Sequence, residues 1–278
     1  MNPPDHVLDL FAVPGDVRPL PGGRGASVLA GDLVLSPGRD ESVADLLDPT
    51  LARLAVALDT RPGRRAQDLR IAVPVPARDG SWVVDGWGAS RYEPGTRACT
   101  DLPVLRAAGA VLHAELAQAV RSWPPAHEPP AHRWAVGERV AFGAAATVGE
   151  APGVGAEIPS ATRDLVDTLL RLRGEESMGT DQLVHGDLAG NVLLDAAGAP
   201  VVIDVSPYWR PALWAEAVCV LDAVMWLGAD ADAMAEWTEG AHREAMLRAG
   251  VFRLVADQPE DPEPYRRALG ALLSLSRP

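Results

Sequence analysis

The segment Leu183-Val184-His185-Gly186-Asp187-Leu188-Ala189-Gly190-Asn191-Val192-Leu193-Leu194 sets a histidine, an aspartate and an asparagine directly ahead of a short apolar run. A second apolar run, Val201-Val202-Ile203, ends in Asp204, and the stretch between the two contains the turn Asp195-Ala196-Ala197-Gly198. Apolar runs split by an Asp/Gly turn are expected to pair as a hairpin. Its open end would then bring Asp187, Asn191 and Asp204 together. A carboxylate, a carboxamide and a further carboxylate make a hard-oxygen site suited to Mg²⁺. Phosphoryl transfer asks for this set: metal on the phosphate oxygens, and a carboxylate that orients the attacking hydroxyl. A polar turn would account for His185-Gly186-Asp187 alone, but not for Asn191, the hairpin and Asp204 following in order.

Composition removes several other chemistries. All 25 basic residues are arginine, and the chain has no lysine. A Walker A phosphate loop requires lysine, and Schiff-base catalysis requires its amine, so both are excluded. Ser27 and Ser206 lack the Gly-x-Ser-x-Gly elbow of serine hydrolases. The two cysteines, Cys99 and Cys219, give neither a disulfide framework nor a zinc signature. A net charge of −13 repels phosphate backbones, so no nucleic-acid partner is expected. No apolar run approaches the roughly 20 residues that span a bilayer, and Met1–His6 has no secretory pattern. A cytoplasmic protein without membrane contact is expected.

The elements that must position these residues fall into two groups. Residues 17–36 read as short strands split by Pro21-Gly22-Gly23-Arg24-Gly25-Ala26-Ser27 and by Gly31-Asp32. Val43, Leu46, Leu47, Leu51, Leu54 and Leu58 mark a helix over 41–58. Two strands follow, 69–76 and 82–92, around the turn Arg78-Asp79-Gly80. After a connector near 90–95 the chain becomes helical, over 101–121, 160–173, 211–227, 230–248 and 262–275, with a Pro-rich loop after 121 and weak patterning over 143–156. The expected fold is α+β and bilobal: residues 1–92 as a small antiparallel β N-lobe with one helix, residues 93–278 as a larger helical C-lobe carrying the catalytic and metal loops.

His-Gly-Asp-x-x-x-Asn, then a strand and Ile-Asp, resembles the catalytic and metal loops of aminoglycoside phosphotransferases and related kinase-like enzymes. The stretches Val202–Pro211 and Asp79–Trp87 resemble an uncharacterised subgroup of that superfamily. The likeness runs from about Leu20 to Leu227 and implies a protein-kinase-like fold. It further implies that Asp187 accepts or orients the substrate hydroxyl proton and that Asn191 and Asp204 hold Mg²⁺. His185 would brace the loop, and Asp222 would hydrogen-bond back to it. Gly22, Gly23, Gly25 and Ser27 would lie over the phosphates of ATP or GTP, and the connector around Ser90–Glu93 would meet the base. Arg210, close after Asp204, is a candidate cation for the transferring phosphate, with a structural ion pair as its other reading.

Two departures stand out. Asp187 and Asn191 are one residue closer than in protein kinases, a spacing usual in the resembling subgroup. Ser36 stands where the phosphate-gripping lysine is expected, so an arginine would have to substitute. Arg39, Arg24 and Arg91 qualify by position, with Glu41 or Asp45 as a helix partner. The expected activity is Mg²⁺-dependent transfer of the γ-phosphoryl of ATP or GTP to a small-molecule hydroxyl. The other reading is a degenerate kinase that binds a nucleotide or metabolite without catalysis.

Overall fold

The computed structural model describes residues 2–20, 26–123, 132–151 and 158–274. The expectations at Gly22, Gly23, Arg24 and Gly25 lie outside these residues. The chain divides into two compact units, Met1–Cys99 with Gly190–Asp204, and Thr100–Ala189 with Val205–Pro278. The expected boundary at 92/93 is thus drawn at Cys99, and the segment carrying Asn191 and Asp204 groups with the first unit.

Along the chain the first 99 residues form α1 (Asp5–Leu10), β1 (Val17–Pro19), β2 (Val28–Ala30), β3 (Leu33–Ser36), α2 (Glu41–Asp59), β4 (Arg70–Ile71), β5 (Val83–Val84), β6 (Trp87–Arg91) and β7 (Arg97–Ala98). There follow α3 (Leu102–Ala119), α4 (Arg133–Phe142), α5 (Ser160–Leu172), β8 (Asp181–His185), β9 (Val192–Leu194), β10 (Pro200–Val202) and β11 (Pro207–Pro211). The chain closes with α6 (Ala212–Trp226), α7 (Gly240–Asp257), α8 (Glu263–Ala268) and α9 (Gly270–Ser274).

In the first unit, β1-β2-β3-β6-β5 form one sheet and β4-β10-β9-β7 another. Leu33 and Leu35 alternate inward along β3 and meet Val28, Ala30, Trp87 and Ala89, with Val7, Leu8 and Phe11 of α1 closing the same core. Each Val, Leu or Phe side chain so withdrawn from water contributes roughly 1.5–3 kcal/mol. Helix α2 starts at Asp40, whose Oδ1 accepts the Val43 N–H at 3.1 Å, and buries Ala44, Leu47, Leu51, Leu54 and Leu58. The expected strand 82–92 is instead a tight hairpin. Asp85 and Gly86 both hold positive φ, 48° and 77°, the backbone that a two-residue loop between antiparallel strands requires. The expected partner strand 69–76 is divided as well: Arg70–Ile71 joins β10 in parallel, while Val75 N–H bonds Ala89 and Arg91 N–H bonds Val73.

The second unit is helical around a two-stranded sheet. Helix α3 begins at Asp101, which accepts the Val104 N–H at 3.2 Å. Two elements here have no counterpart in the sequence expectations. Helix α4 fills the span between the expected Pro-rich loop and the weakly patterned 143–156, with His132 Nδ1 capping it by accepting the Ala135 N–H at 3.2 Å. Strand β8 runs through the expected polar loop into His185 and pairs antiparallel with β11, His185 facing Pro207 and Asp181 facing Pro211. The expected helix 230–248 begins as a 3-10 segment, Ala231–Trp237, and α7 runs on to Asp257. Tyr208, Trp214 and Phe252 interlock edge to face, with ring centroids 5.3–5.6 Å apart. Among the described residues no helix is long and apolar enough to cross a membrane.

Candidate functional site

The first unit carries the candidate metal ligands. Strands β9 and β10 pair as expected, with Val192 opposite Val202, and Ile203 N–H donates to the Asn191 carbonyl at 2.9 Å. Asn191 and Asp204 therefore flank the open end of one hairpin. Its closed end is fixed by Asp195, whose Oδ1 accepts the N–H groups of Ala197 and Ala199 at 2.8 and 2.9 Å. Asp204 leaves β10 in the left-handed region, φ 47°. A non-glycine there costs on the order of 1 kcal/mol, and such residues concentrate at functional sites.

Arg39 reaches this carboxylate. Its Nη1 lies 2.5 Å from Asp204 Oδ1. The residue is three positions beyond the strand end at Ser36; its N–H donates to the Gly86 carbonyl at 2.9 Å, and its stem crosses Gly88, where an added Cβ would meet Arg39 Cγ at 3.1 Å. Ser36 itself shares a hydroxyl hydrogen bond of 2.9 Å with Ser27 across the β2–β3 edge. Arg91 pairs with Asp32 of the adjacent turn. In the connector, Glu93 takes both terminal nitrogens of Arg70, at 2.8 and 3.2 Å.

The acid on α2 that feels Arg39 is neither Glu41 nor Asp45 but Asp48. It is 4% exposed, and its Oδ1 has no hydrogen-bond partner among the described residues. Burial pushes its carboxyl up to about 6, against the pull of Arg39, with Asp204 and Asp45 adding to the rise. Its position between Leu47 and Pro49 was the available signal: a carboxylate on the apolar stripe of a helix.

The second unit carries the candidate catalytic loop. His185 is fully buried, and its Nδ1 accepts two backbone N–H groups, from Asp187 at 3.2 Å and Ser206 at 3.3 Å. That acceptor role puts the ring proton on Nε2. His113 of α3 accepts the His185 N–H through its own Nε2 at 3.2 Å. Burial first, then His185, hold the His113 ring down at about 3, so it is neutral. Gly186 is required beside His185: an added Cβ would clash with the Tyr208 ring.

The Asp187 side chain is 43% exposed, and its Oδ1 lies 2.5 Å from Nη2 of Arg253 on α7. Arg253 is buried and also grips Asp222 of α6, with Nε 2.9 and 3.1 Å from the two carboxylate oxygens and Nη2 closing a further contact. Burial raises the Asp222 carboxyl to about 6, and Arg253 opposes that rise; the two acids hold the guanidinium firmly charged. Asp222 thus reaches the loop through an arginine rather than directly. Arg210 pairs with Glu138 of α4 and lies 4.2 Å over the Phe142 ring, which is the ion pair of its structural reading.

Asp204 and Asn191 carry the oxygen donors that could hold a divalent cation, with Asp204 Oδ1 paired to Arg39 in this structure. Among the described residues no three His, Cys, Asp or Glu side chains gather as a protein-only metal cage.

No family model matches the sequence, and no curated protein matches it. Solved structures do, and the fold is kinase-like. The chain matches the crystal structure of the choline kinase LicA from Streptococcus pneumoniae with a TM-score of 0.54, at 14% identity over 97% of each chain. It also matches a macrolide 2'-phosphotransferase, MphH, from Brachybacterium faecium (TM-score 0.48, 20% identity, 96% of this chain and 97% of that one). A third match is an aminoglycoside phosphotransferase from Alicyclobacillus acidocaldarius (TM-score 0.47, 14% identity, 97% and 86%).

Proposed function

We propose that this protein is a phosphotransferase that moves the γ-phosphoryl of ATP or GTP to a hydroxyl of a small molecule. The observation that carries the reading is the hairpin end that brings Asn191 and Asp204 together, with Arg39 on the Asp204 carboxylate.

In this reading Asn191 and Asp204 would hold Mg²⁺, which would supply charge neutralisation to the nucleotide phosphates. Arg39 would supply the phosphate grip expected of the absent lysine, exchanging its Asp204 partner for the nucleotide phosphates. Ser27, Ser36 and Arg91, with Gly22, Gly23 and Gly25, belong to the nucleotide side of the same proposal. Asp187 orients the acceptor hydroxyl. The acceptor oxygen forms its bond to Pγ as the bond from Pγ to the departing ADP or GDP oxygen breaks, and the hydroxyl proton passes to Asp187 and then to solvent. Arg210 is assigned to bracing β11 against α4. A cytoplasmic setting, where nucleotide is available, is part of the proposal.

The absence of lysine favours one alternative, a nucleotide-binding protein without transfer. Calorimetric titration with ATP and GTP, with and without Mg²⁺, separates the readings when run beside a turnover assay. Magnesium-dependent binding that weakens in Asp204→Asn, together with turnover, supports the phosphotransferase. Binding without turnover supports the alternative, and no binding of either nucleotide overturns the phosphotransferase and leaves a degenerate kinase that binds a metabolite instead.

A further inference from the structure

Arg253 is buried beneath the candidate catalytic loop, and the pairing it makes is more than its own neutralisation requires. A buried guanidinium is destabilising by several kcal/mol unless paired and hydrogen-bonded. Asp222 meets that need alone: it faces the fork side-on, through Nε and Nη2, in the bidentate manner that suits arginine and carboxylate. The further bond from Nη2 to Asp187 Oδ1, 2.5 Å long, brings a second carboxylate to the same cation. Asp187 adds to the rise of the Asp222 carboxyl, so the two acids oppose each other across the guanidinium. For stability alone the second acid is a liability. For holding Asp187 it is effective, because Arg253 cannot move. Its neighbour Phe252 is locked 5.3 Å from Trp214 and 5.6 Å from Tyr208, and Asp222 lies in the wholly buried stretch Ala217–Ala223 of α6.

We infer that Arg253, anchored by Asp222, is a positioning residue that fixes the Asp187 carboxylate for its work on the acceptor hydroxyl. His185 holds the Asp187 backbone at its N–H; Arg253 holds the side chain at Oδ1. The backbone and the carboxylate are therefore fixed from two different elements, β8 and α7. Phosphoryl transfer depends mostly on such placement, so a loosened Asp187 lowers turnover without touching nucleotide affinity. This role rests on the phosphotransferase reading of the same site.

The test compares wild type with Arg253→Lys, Arg253→Gln and Asp222→Asn. It measures kcat and KM for Mg-ATP, calorimetric nucleotide affinity, and the thermal midpoint. Lysine keeps a charge but not the fork. Arg253→Lys is expected to lower kcat per nucleotide-binding molecule at least tenfold with KM and nucleotide affinity within twofold of wild type. Asp222→Asn is expected to give a smaller fall in kcat with the same unchanged KM, and combining the two to be no worse than Arg253→Lys alone. A kcat per binding-competent molecule within twofold of wild type in Arg253→Lys, or in Arg253→Gln where the lysine variant does not fold, overturns the inference, since a purely structural arginine would lower the folded fraction and nothing else. Turnover in wild type with that result leaves the phosphotransferase reading standing; absence of turnover in wild type removes both.

Discussion

Arg39 and Arg253 each approach an aspartate at 2.5 Å, one in each unit. The two contacts differ in setting. The Arg39 side chain is 27% exposed and Asp204 56%, so their pair is screened by water and can be exchanged for another partner. The Arg253 side chain is 6% exposed, with nowhere to go. In a chain without lysine, the first arrangement suits a group that must move between a carboxylate and a phosphate, and the second suits a fixture. Arg39→Ala is expected to weaken Mg-ATP binding about tenfold or more, the loss of one charge-assisted contact. Calorimetry checks this, and an unchanged affinity would remove Arg39 from the nucleotide site. The sequence signals for these residues were unequal. Asp187, Asn191 and Asp204 stand in a motif with fixed order. Arg253 has no motif, but it is the lone charge in Val251-Phe252-Arg253-Leu254-Val255, and Asp222 is the lone charge in Val220-Leu221-Asp222-Ala223-Val224. Two opposite charges, each set in an apolar run, are expected to find each other, because neither tolerates burial alone. That pairing is legible in the sequence.

Among the elements, β2, β3, α2, α3, β9 and β10 follow from apolar periodicity and turn residues. The misses have physical causes. Strand β8 contains Asp181 and Gln182 and is only half apolar, and it forms because β11 is there to pair with it. Helix α4 has apolar residues on a short, weakly patterned face and is held by packing against α7. The hairpin at Asp85-Gly86 was announced by its Asp-Gly pair, overridden by the long apolar reading of 82–92. Two predictions belong here. Gly186→Ala forces a Cβ into the Tyr208 ring and should cost roughly 1–3 kcal/mol by overpacking, read as a lower thermal midpoint with Asp187 displaced; an unchanged midpoint would mean that β8 and β11 adjust freely. Asp48→Asn tests the buried acid of α2. An aspartate whose carboxyl rises on folding from 3.8 to about 6 binds more protons folded than unfolded, so stability falls as pH rises through that window. The penalty is complete above pH 6 and approaches 3 kcal/mol as an upper bound, by roughly 1.4 kcal/mol per pH unit. Asp48→Asn should therefore melt higher than wild type at pH 8, with the gain vanishing by pH 4. An equal difference at both pH values would assign the effect to packing.

For the whole molecule, the informative feature is how the chain is divided. The first unit is built from residues up to Cys99 and from the later segment Gly190–Asp204. Strand β10 pairs with β4, and β9 with β7, so the candidate metal ligands arrive on a hairpin delivered by the second half of the chain. A fragment of residues 1–99 should keep β1, β2, β3, β5 and β6 paired but leave β4 and β7 without partners. Its melt is expected to be broad, and fusing residues 190–204 through a flexible linker should restore a cooperative transition; a sharp melt of 1–99 alone would show the hairpin to be dispensable. This division also explains why fold and site were legible to different degrees. Strand pairing within a hairpin is encoded locally, whereas the joining of β10 to β4 spans well over a hundred residues and leaves no local trace.

Phosphoryl transfer by Asp187, Asn191 and Asp204 is the proposed function. The most direct measurement is Mg²⁺-dependent release of ADP or GDP against a panel of hydroxyl acceptors (amino alcohols, sugars, nucleosides and hydroxyl-bearing antibiotics), comparing wild type with Asp187→Ala. The account predicts acceptor-dependent release that falls by a factor of about a hundred or more in Asp187→Ala, with nucleotide affinity retained. Equal release from the two proteins would contradict it.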